Sequence, residues 1–269
     1  MNILTDRTAL TRNRTRHSPA ALFLHHQAID EIRDRLQLVN RSFQDIAVIS
    51  GFPTIWQAAF PKAMIVPDLD ILAIPNESYD LVIHAMALHW SNDIVGQLIQ
   101  CRQSLRPDGL FLAVCFGGRS LEELRAVLAE AEITISGGLS PRVAPMAEIR
   151  ELGGLLQRTR FALPVADSVR VTAKYASPRA LMHELRAMGE ANALAARLRR
   201  PTASTVLCRA EVLYQTKYGT PDGHVTATFE LIYLTGWAPD SSQPQALRPG
   251  SATTRLAEVL STTETPLKE

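Results

Sequence analysis

The sequence is short of cysteine, net charge, aromatic residues and long apolar runs, and each shortage narrows the class of protein. Three cysteines occur in 269 residues. Cys101, Cys115 and Cys208 lie far apart with no C-x-x-C pair, a pattern that suggests neither a zinc cluster nor a disulfide framework and fits a reducing compartment. The formal charge is +1, so no strong overall field draws the chain toward nucleic acid or an anionic membrane. Aromatic residues make up 6%. None is interleaved with the basic cluster Arg197, Arg199 and Arg200, which reads as a solvated helix end, and nucleic-acid binding is set aside. No apolar run approaches the roughly 20 residues of a transmembrane helix, and the start Met1-Asn2-Ile3-Leu4-Thr5-Asp6 lacks the apolar stretch of a secretory signal. A cytoplasmic location is therefore expected. The nucleophile elbow G-x-S-x-G, the phosphate loop G-x-x-x-x-G-K and the zinc helix H-E-x-x-H are also missing.

What is present is an ordinary globular composition, 46% hydrophobic and 20% charged. We expect one domain over residues 1–240, with a helical arm at 1–44, a helical insertion at 172–220, and a tail at 241–269 rich in Ser, Pro, Thr and Gln. The first segment carries Arg7, Arg12, Arg14, Arg16 and His17 against Asp6 alone, which reads as a solvated, loosely held terminus, a basic arm or a weak imitation of a transit peptide. From Pro19 to Leu38, apolar residues at helical spacing predict an amphipathic helix. There His25 and His26 point to different faces, so they do not share a metal site.

Asp45 to Ser50 is a β-branched run closed by Gly51, the signature of a buried parallel strand. A brief helix from Thr54 to Phe60 leads to a second strand at Ala63 to Val66, an unusually short crossover. Tyr79 to His84 reads as the third strand, Asp93 to Leu105 as a helix stopped by Arg106-Pro107-Asp108-Gly109, and Leu110 to Phe116 as the fourth strand. Ser120 and Glu123 read as the capping box of a helix reaching about Ile135. Beyond Gly138 we expect a helix near Met146 to Thr159, a strand in Ala162 to Val171, helices within Ser177 to Arg199 and Pro201 to Tyr218, and a final strand at Val225 to Thr235. Strands alternating with helices predict an α/β, doubly wound, mostly parallel sheet with right-handed crossovers.

Ligands of such a sheet bind outside the carboxyl ends of its strands. Four candidates follow from that rule. Gly51 lets backbone approach a ligand closely, or merely closes its strand. Asp68 offers an acceptor-only carboxylate to a sugar hydroxyl or an amino group, or is a solvated turn residue, as is Asp70. His89 and Trp90 can relay a proton and stack on a planar ligand, or serve as core plugs. His84 lies within its strand and reads as structural.

The segments Pro67 to Leu72, Ser78 to Val82, Leu88-His89-Trp90-Ser91-Asn92-Asp93 and Leu105 to Gly109 resemble successive motifs of the class I S-adenosylmethionine-dependent methyltransferases. More narrowly, Phe116-Gly117-Gly118, Glu123-Leu124-Arg125, Gly137 to Arg142, Met188-Gly189-Glu190-Ala191-Asn192 and Thr235-Gly236-Trp237 look like those of bacterial relatives of a mitochondrial complex I assembly factor. That factor has a methyltransferase fold and hydroxylates an arginine of a complex I subunit. The likeness runs from about Asn2 to Trp237.

It implies a seven-stranded sheet with the last strand antiparallel and helices inserted before it, and S-adenosylmethionine as cofactor, held by Gly51 and Asp68 with His89 and Trp90 lining the pocket. It assigns no catalytic base. The family's acidic, glycine-rich loop after the first strand is reduced here to Gly51, and the second strand with its ribose-binding acid is missing. Two readings of function follow. One is an enzyme that methylates or hydroxylates a protein, with a complex I subunit as partner. The other is a non-catalytic module that has lost the cofactor and grips a protein through residues 137–192. A closed pocket beside Gly51 and Asp68, wide enough for an adenosyl group, favours the first, and a crevice filled by Phe52, Trp56 or Trp90 favours the second.

Overall fold

The short apolar strand β1 (Ile46–Ser50) lies at the centre of one half of the sheet, flanked in parallel by β2 (Met64–Val66) and β3 (Tyr79–Ala85). In the computed structural model, which describes residues 3–244, 254 and 256–263, β4 (Leu105–Phe116) extends the parallel set beside β3. The final strand β6 (Val225–Trp237) then inserts antiparallel between β4 and the edge strand β5 (Ala162–Tyr175). The order is β2-β1-β3-β4-β6-β5. The sheet has six strands among the described residues rather than the seven implied by the family resemblance. Because β2 pairs directly with β1, the single helix α3 (Pro53–Ala59) makes the whole crossover between them.

Alternation along the strands builds two cores, since successive side chains point to opposite faces. Val48, Leu81, Ile83 and Leu112 face one side, where α2 (Phe23–Leu38), α5 (Glu122–Ser136), α7 (Pro178–Ala187) and α8 (Ser204–Tyr218) pack through Ile29, Val127, Leu181 and Tyr214. Ala47, Ile49, Val82 and Phe111 face the other, against Leu98 and Cys101 of α4 (Ile94–Ser104) and Leu152 and Leu156 of α6 (Ile149–Arg158). Asp93 caps α4 by accepting from the Gly96 amide at 2.8 Å.

Several local expectations are corrected. The N-terminal segment is not a solvated arm. Asp6 accepts from the Ala9 amide at 3.0 Å and caps a helix, α1 (Arg7–Arg14), that buries Ala9, Leu10 and Arg14. Asp108 takes a left-handed φ of 57° inside β4, so the expected turn at Arg106–Gly109 is an irregularity where the β3–β4 register shifts. Ser120 and Glu123 do not form a capping box. Ser120 Oγ donates to the Glu230 carbonyl at 3.1 Å and accepts from its amide at 3.0 Å, while Glu123 accepts from the Thr228 hydroxyl at 2.6 Å, so both residues staple α5 to β6. Strand β5 runs on to Tyr175, into the stretch expected to be helical from 172. Residues 188–203 form no α-helix but a loop that turns at Gly189, φ 82°.

The chain divides into two compact units, Met1–Pro239 and Asp240–Glu269. In the second, Leu256–Val259 forms a short helix. Residues 245–253, 255 and 264–269 of the expected tail lie outside the described residues. No helix among the described residues is long and apolar enough to cross a membrane.

Candidate functional site

The carboxyl ends of β1 and β3 and the loop after β2 bring Gly51, Asp68, His89 and Trp90 to one side of the sheet. All four gather at this end of the sheet, and an arginine is buried among them. Arg14 and Arg7 lie seven residues apart, close to two turns of α1, and so share a helix face. Arg14 Nη1 lies 2.8 Å from both carboxylate oxygens of Asp68, and Arg7 reaches the same group at 3.4 Å while also donating to the Asp68 carbonyl. The side chains of Arg14 and Asp68 are each 7% exposed. A Cβ built on Gly51 would lie 2.0 Å from Arg14 Nη1 and 2.3 Å from its Cζ. Glycine here therefore makes room for a guanidinium. The Phe52 ring lies beneath, 5.5 Å from Cζ, in cation–π range.

The rest of the guanidinium is less well served. Nε and Nη2 are buried and have no hydrogen-bond partner among the described residues. Behind Arg14 stands Glu190, 9% exposed, whose carboxylate accepts from Trp90 Nε1 at 2.7 Å and lies 3.5 Å from His89 Nε2. Burial works against charge on Glu190, but His89, Arg14 and Trp90 outweigh it and hold the carboxyl below its ordinary value. The His89 ring rests 4.7 Å from that of Phe116. Trp90 thus stands with its indole hydrogen-bonded to an acid, beside a cavity of about 630 Å³ that Glu190, Phe116, Met146 and Arg142 also line.

Trp56 and Phe52 are buried, but they are not what fills the crevice. Trp56 donates to His25 Nδ1 at 3.1 Å under the Phe52 ring, and burial pushes His25 down to about 3. His84 pairs with Gln97 Oε1 at 2.9 Å inside its strand, and burial likewise brings it to about 4. Asp70 stays outside this cluster, exposed, with its carbonyl accepting from Gln100. Among the described residues no group of three or more His, Cys, Asp or Glu side chains is arranged to hold a metal ion.

The crevice in this state does not fit S-adenosylmethionine. Placed as the resemblance implies, on Gly51 and Asp68, the cofactor would meet Arg14, which covers both. Sequence reading passed over the two residues that define the site, Arg14 and Glu190. Two arginines at helical spacing, and an acid after a glycine in Met188-Gly189-Glu190-Ala191-Asn192, were the available signals.

Residues 49–113 match the family model described as a methyltransferase domain. The chain is 38% identical over 205 residues to Arginine-hydroxylase NDUFAF5, mitochondrial, from Dictyostelium discoideum, covering 75% of this chain and 47% of that protein. The protein of the same name from Homo sapiens is 32% identical over 223 residues, covering 83% and 64%. The chain thus spans about half of the first relative and under two thirds of the second. Malonyl-[acyl-carrier protein] O-methyltransferase from Halorhodospira halophila is 34% identical over 170 residues, covering 63% and 56%. Among solved structures, the YcgJ protein of Bacillus subtilis superposes with a TM-score of 0.51 at 10% identity, covering 80% of this chain and 99% of that one, which speaks to the fold alone.

The cytoplasmic expectation is overturned: the NDUFAF5 relatives are mitochondrial proteins. Strand order, the matched domain and the relatives agree: the chain is a protein of the class I S-adenosylmethionine-dependent methyltransferase fold, related to the NDUFAF5 arginine hydroxylases.

Proposed function

We propose that the chain is an enzyme of the methyltransferase fold that acts on an arginine side chain of a protein partner, a subunit of respiratory complex I, during assembly of that complex. The observation that carries this reading is the crevice itself, which seats a guanidinium against the buried carboxylate of Asp68 with Glu190 behind it. A carboxylate accepts charge-assisted hydrogen bonds from a planar guanidinium, and two buried acids around one seat select that cation over a neutral side chain. The names of the NDUFAF5 relatives support the same substrate class. Phe52 beneath the seat and Trp90 at its rim supply flat surfaces that orient the group, so the chain's contribution is to hold one side chain still in a site screened from water.

Methyl transfer from S-adenosylmethionine requires the crevice to change shape first, because Arg14 stands where the cofactor would meet Gly51 and Asp68. Hydroxylation, a two-electron oxidation in which an oxygen atom from an external oxidant such as dioxygen enters a bond to hydrogen of the side chain, is the modification that the relatives' names favour. Comparing arginine-containing peptides of complex I subunits from cells with and without the chain, by mass spectrometry, tests the proposal. The expected result is one arginine that carries an extra oxygen atom only when the chain is present, and that loses it with the Glu190→Gln variant. Gain of a methyl group would replace hydroxylation by methyl transfer, and no chain-dependent change on any arginine would sink the enzyme reading.

A further inference from the structure

We infer that Arg14 is an intramolecular pseudosubstrate: the seat made by Gly51 and Asp68 recognises a guanidinium, α1 fills it in the resting chain, and a partner's arginine takes it only when α1 leaves. The inference rests on the arginine-directed reading above and adds the regulation of its site.

Three observations carry it. First, the seat is shaped for this group. Both Asp68 oxygens lie 2.8 Å from one Nη, and Gly51 leaves space that any side chain would close. Second, Arg14 is an imperfect occupant. The Nε–Nη2 edge, which on arginine forms the two-pronged donor for acids, is buried without a partner, a burden that an arginine entering from another direction escapes. Asp68 is meanwhile approached by two arginines of one helix, Arg14 at 2.8 Å and Arg7 at 3.4 Å, so departure of α1 frees the whole carboxylate for an incoming guanidinium.

Third, α1 can leave without opening the main core. Its buried apolar residues, Ala9 and Leu10, belong to a small separate cluster with Trp90, Ala144, Ala193 and Leu194. Apart from the Arg14 guanidinium over the Phe52 ring, its other ties are polar. The Leu4 and Thr5 amides donate to Asn92 Oδ1 at 3.0 and 2.8 Å, Asn13 Nδ2 donates to the Ala191 carbonyl at 2.9 Å, and Arg197 pairs with Asp6 at 3.0 Å. The loop that makes the last two of these contacts, residues 189–197, also borders the cavity of about 630 Å³ through Glu190 and Arg197. A peptide whose flanking residues fill that cavity meets the same loop that holds α1, which links its arrival to release of the helix.

The test uses the full chain and methylguanidinium as probe, with methylammonium as the control cation, read by thermal denaturation and calorimetry. Wild type is expected to show no saturable binding, because the seat is filled. Arg14→Ala is expected to bind methylguanidinium at least tenfold more tightly than wild type and to be stabilised by it, with no response to methylammonium and loss of the effect when Asp68→Asn is added. Asn92→Ala, which loosens the start of the N-terminal segment and leaves the seat intact, should bind the probe more tightly than wild type even if Arg14→Ala fails to fold. Equal binding by wild type and both variants, or none by either variant, overturns the inference. Probe binding by the variants without any modified arginine in complex I would leave the seat standing and remove the enzyme reading. A modified arginine whose level does not rise in Arg14→Ala would leave the enzyme reading standing and remove the pseudosubstrate.

Discussion

Replacing Asp68 with alanine should be among the most damaging single changes in the first unit, and it should act first on a helix more than fifty residues away. The substitution leaves Arg14 7% exposed without its ion-pair partner, with only Glu190 behind it, on a guanidinium whose Nε and Nη2 already lack partners. Breaking a buried ion pair from one side costs about 3–5 kcal/mol, because the surviving charge stays out of water. The chain has a cheaper response, which is to let α1 undock and hydrate Arg14. Undocking forfeits the burial of Leu10 and Ala9, about 1.5–3 kcal/mol for the leucine, and a handful of hydrogen bonds at a net of about 1 kcal/mol each, while ordering entropy of the released residues is recovered. We therefore expect a loss of about 2–4 kcal/mol by urea unfolding, together with new tryptic cleavage at Arg7, Arg12, Arg14 and Arg16. Arg14→Met combined with Asp68→Leu should recover much of the stability, since an apolar pair of similar volume carries no desolvation penalty. A loss below about 1 kcal/mol with an unchanged tryptic pattern would mean that the pair behaves like an exposed surface contact, and the argument for a sealed seat would fail.

Gly51→Ala should mimic that release while sparing the sheet, because its new methyl collides with Arg14 rather than with backbone, and the same tryptic sites should open. Acid should weaken the fold through two histidines. His25 and His84 fall from 6.5 to about 3 and about 4, so the unfolded chain binds the extra protons and stability drops as pH falls below 6.5, by up to about 1.4 kcal/mol per pH unit for each group. Denaturant titrations between pH 7 and pH 4.5, on the order of that window, should show the slope, and His25→Gln should lower it. Glu132 is held at about 2 by hydrogen bonding from Arg142, with burial opposing and Ser140 assisting. Its contribution is full above 4.5 and lost as pH falls toward 2, so Glu132→Gln should flatten stability there, and a variant that keeps the wild-type acid limb would contradict the pairing.

The parallel half of the sheet was legible because its information is local. Residues 45–51 form an apolar run closed by Gly51 and residues 79–84 one that follows the polar Asn76-Glu77-Ser78, and no helix fits that length. Local grammar also misled. Ser120 and Glu123 have the spacing of a capping box, yet the residues that claim them, Thr228 and Glu230, come more than a hundred positions later, on β6. Residues 188–203 carry helix-forming leucines and arginines, but Gly189 at φ 82° turns the chain away and commits the loop to contacts with α1. In each case a tertiary partner outweighed a propensity worth a fraction of a kcal/mol.

The site was half visible for a related reason. Its sheet side follows a rule of topology, so Gly51, Asp68, His89 and Trp90 could be nominated from where strands end. Its helix side follows no such rule. Charged residues near a terminus are solvated in most proteins, and that expectation hid Arg14, whose counter-charge is 54 positions away. The oddities of this crevice have one physical source. Only Gly51 opens the turn after β1, the single helix α3 joins that strand to β2, and a guanidinium stands in the space that remains. A buried arginine with half its donors unmet is an expensive way to close a pocket, and replacing it by an apolar side chain would be easier to stabilise. Its presence is explained if the seat must admit a second guanidinium, because an apolar plug would require Asp68 to be replaced as well and would abolish recognition of the incoming arginine.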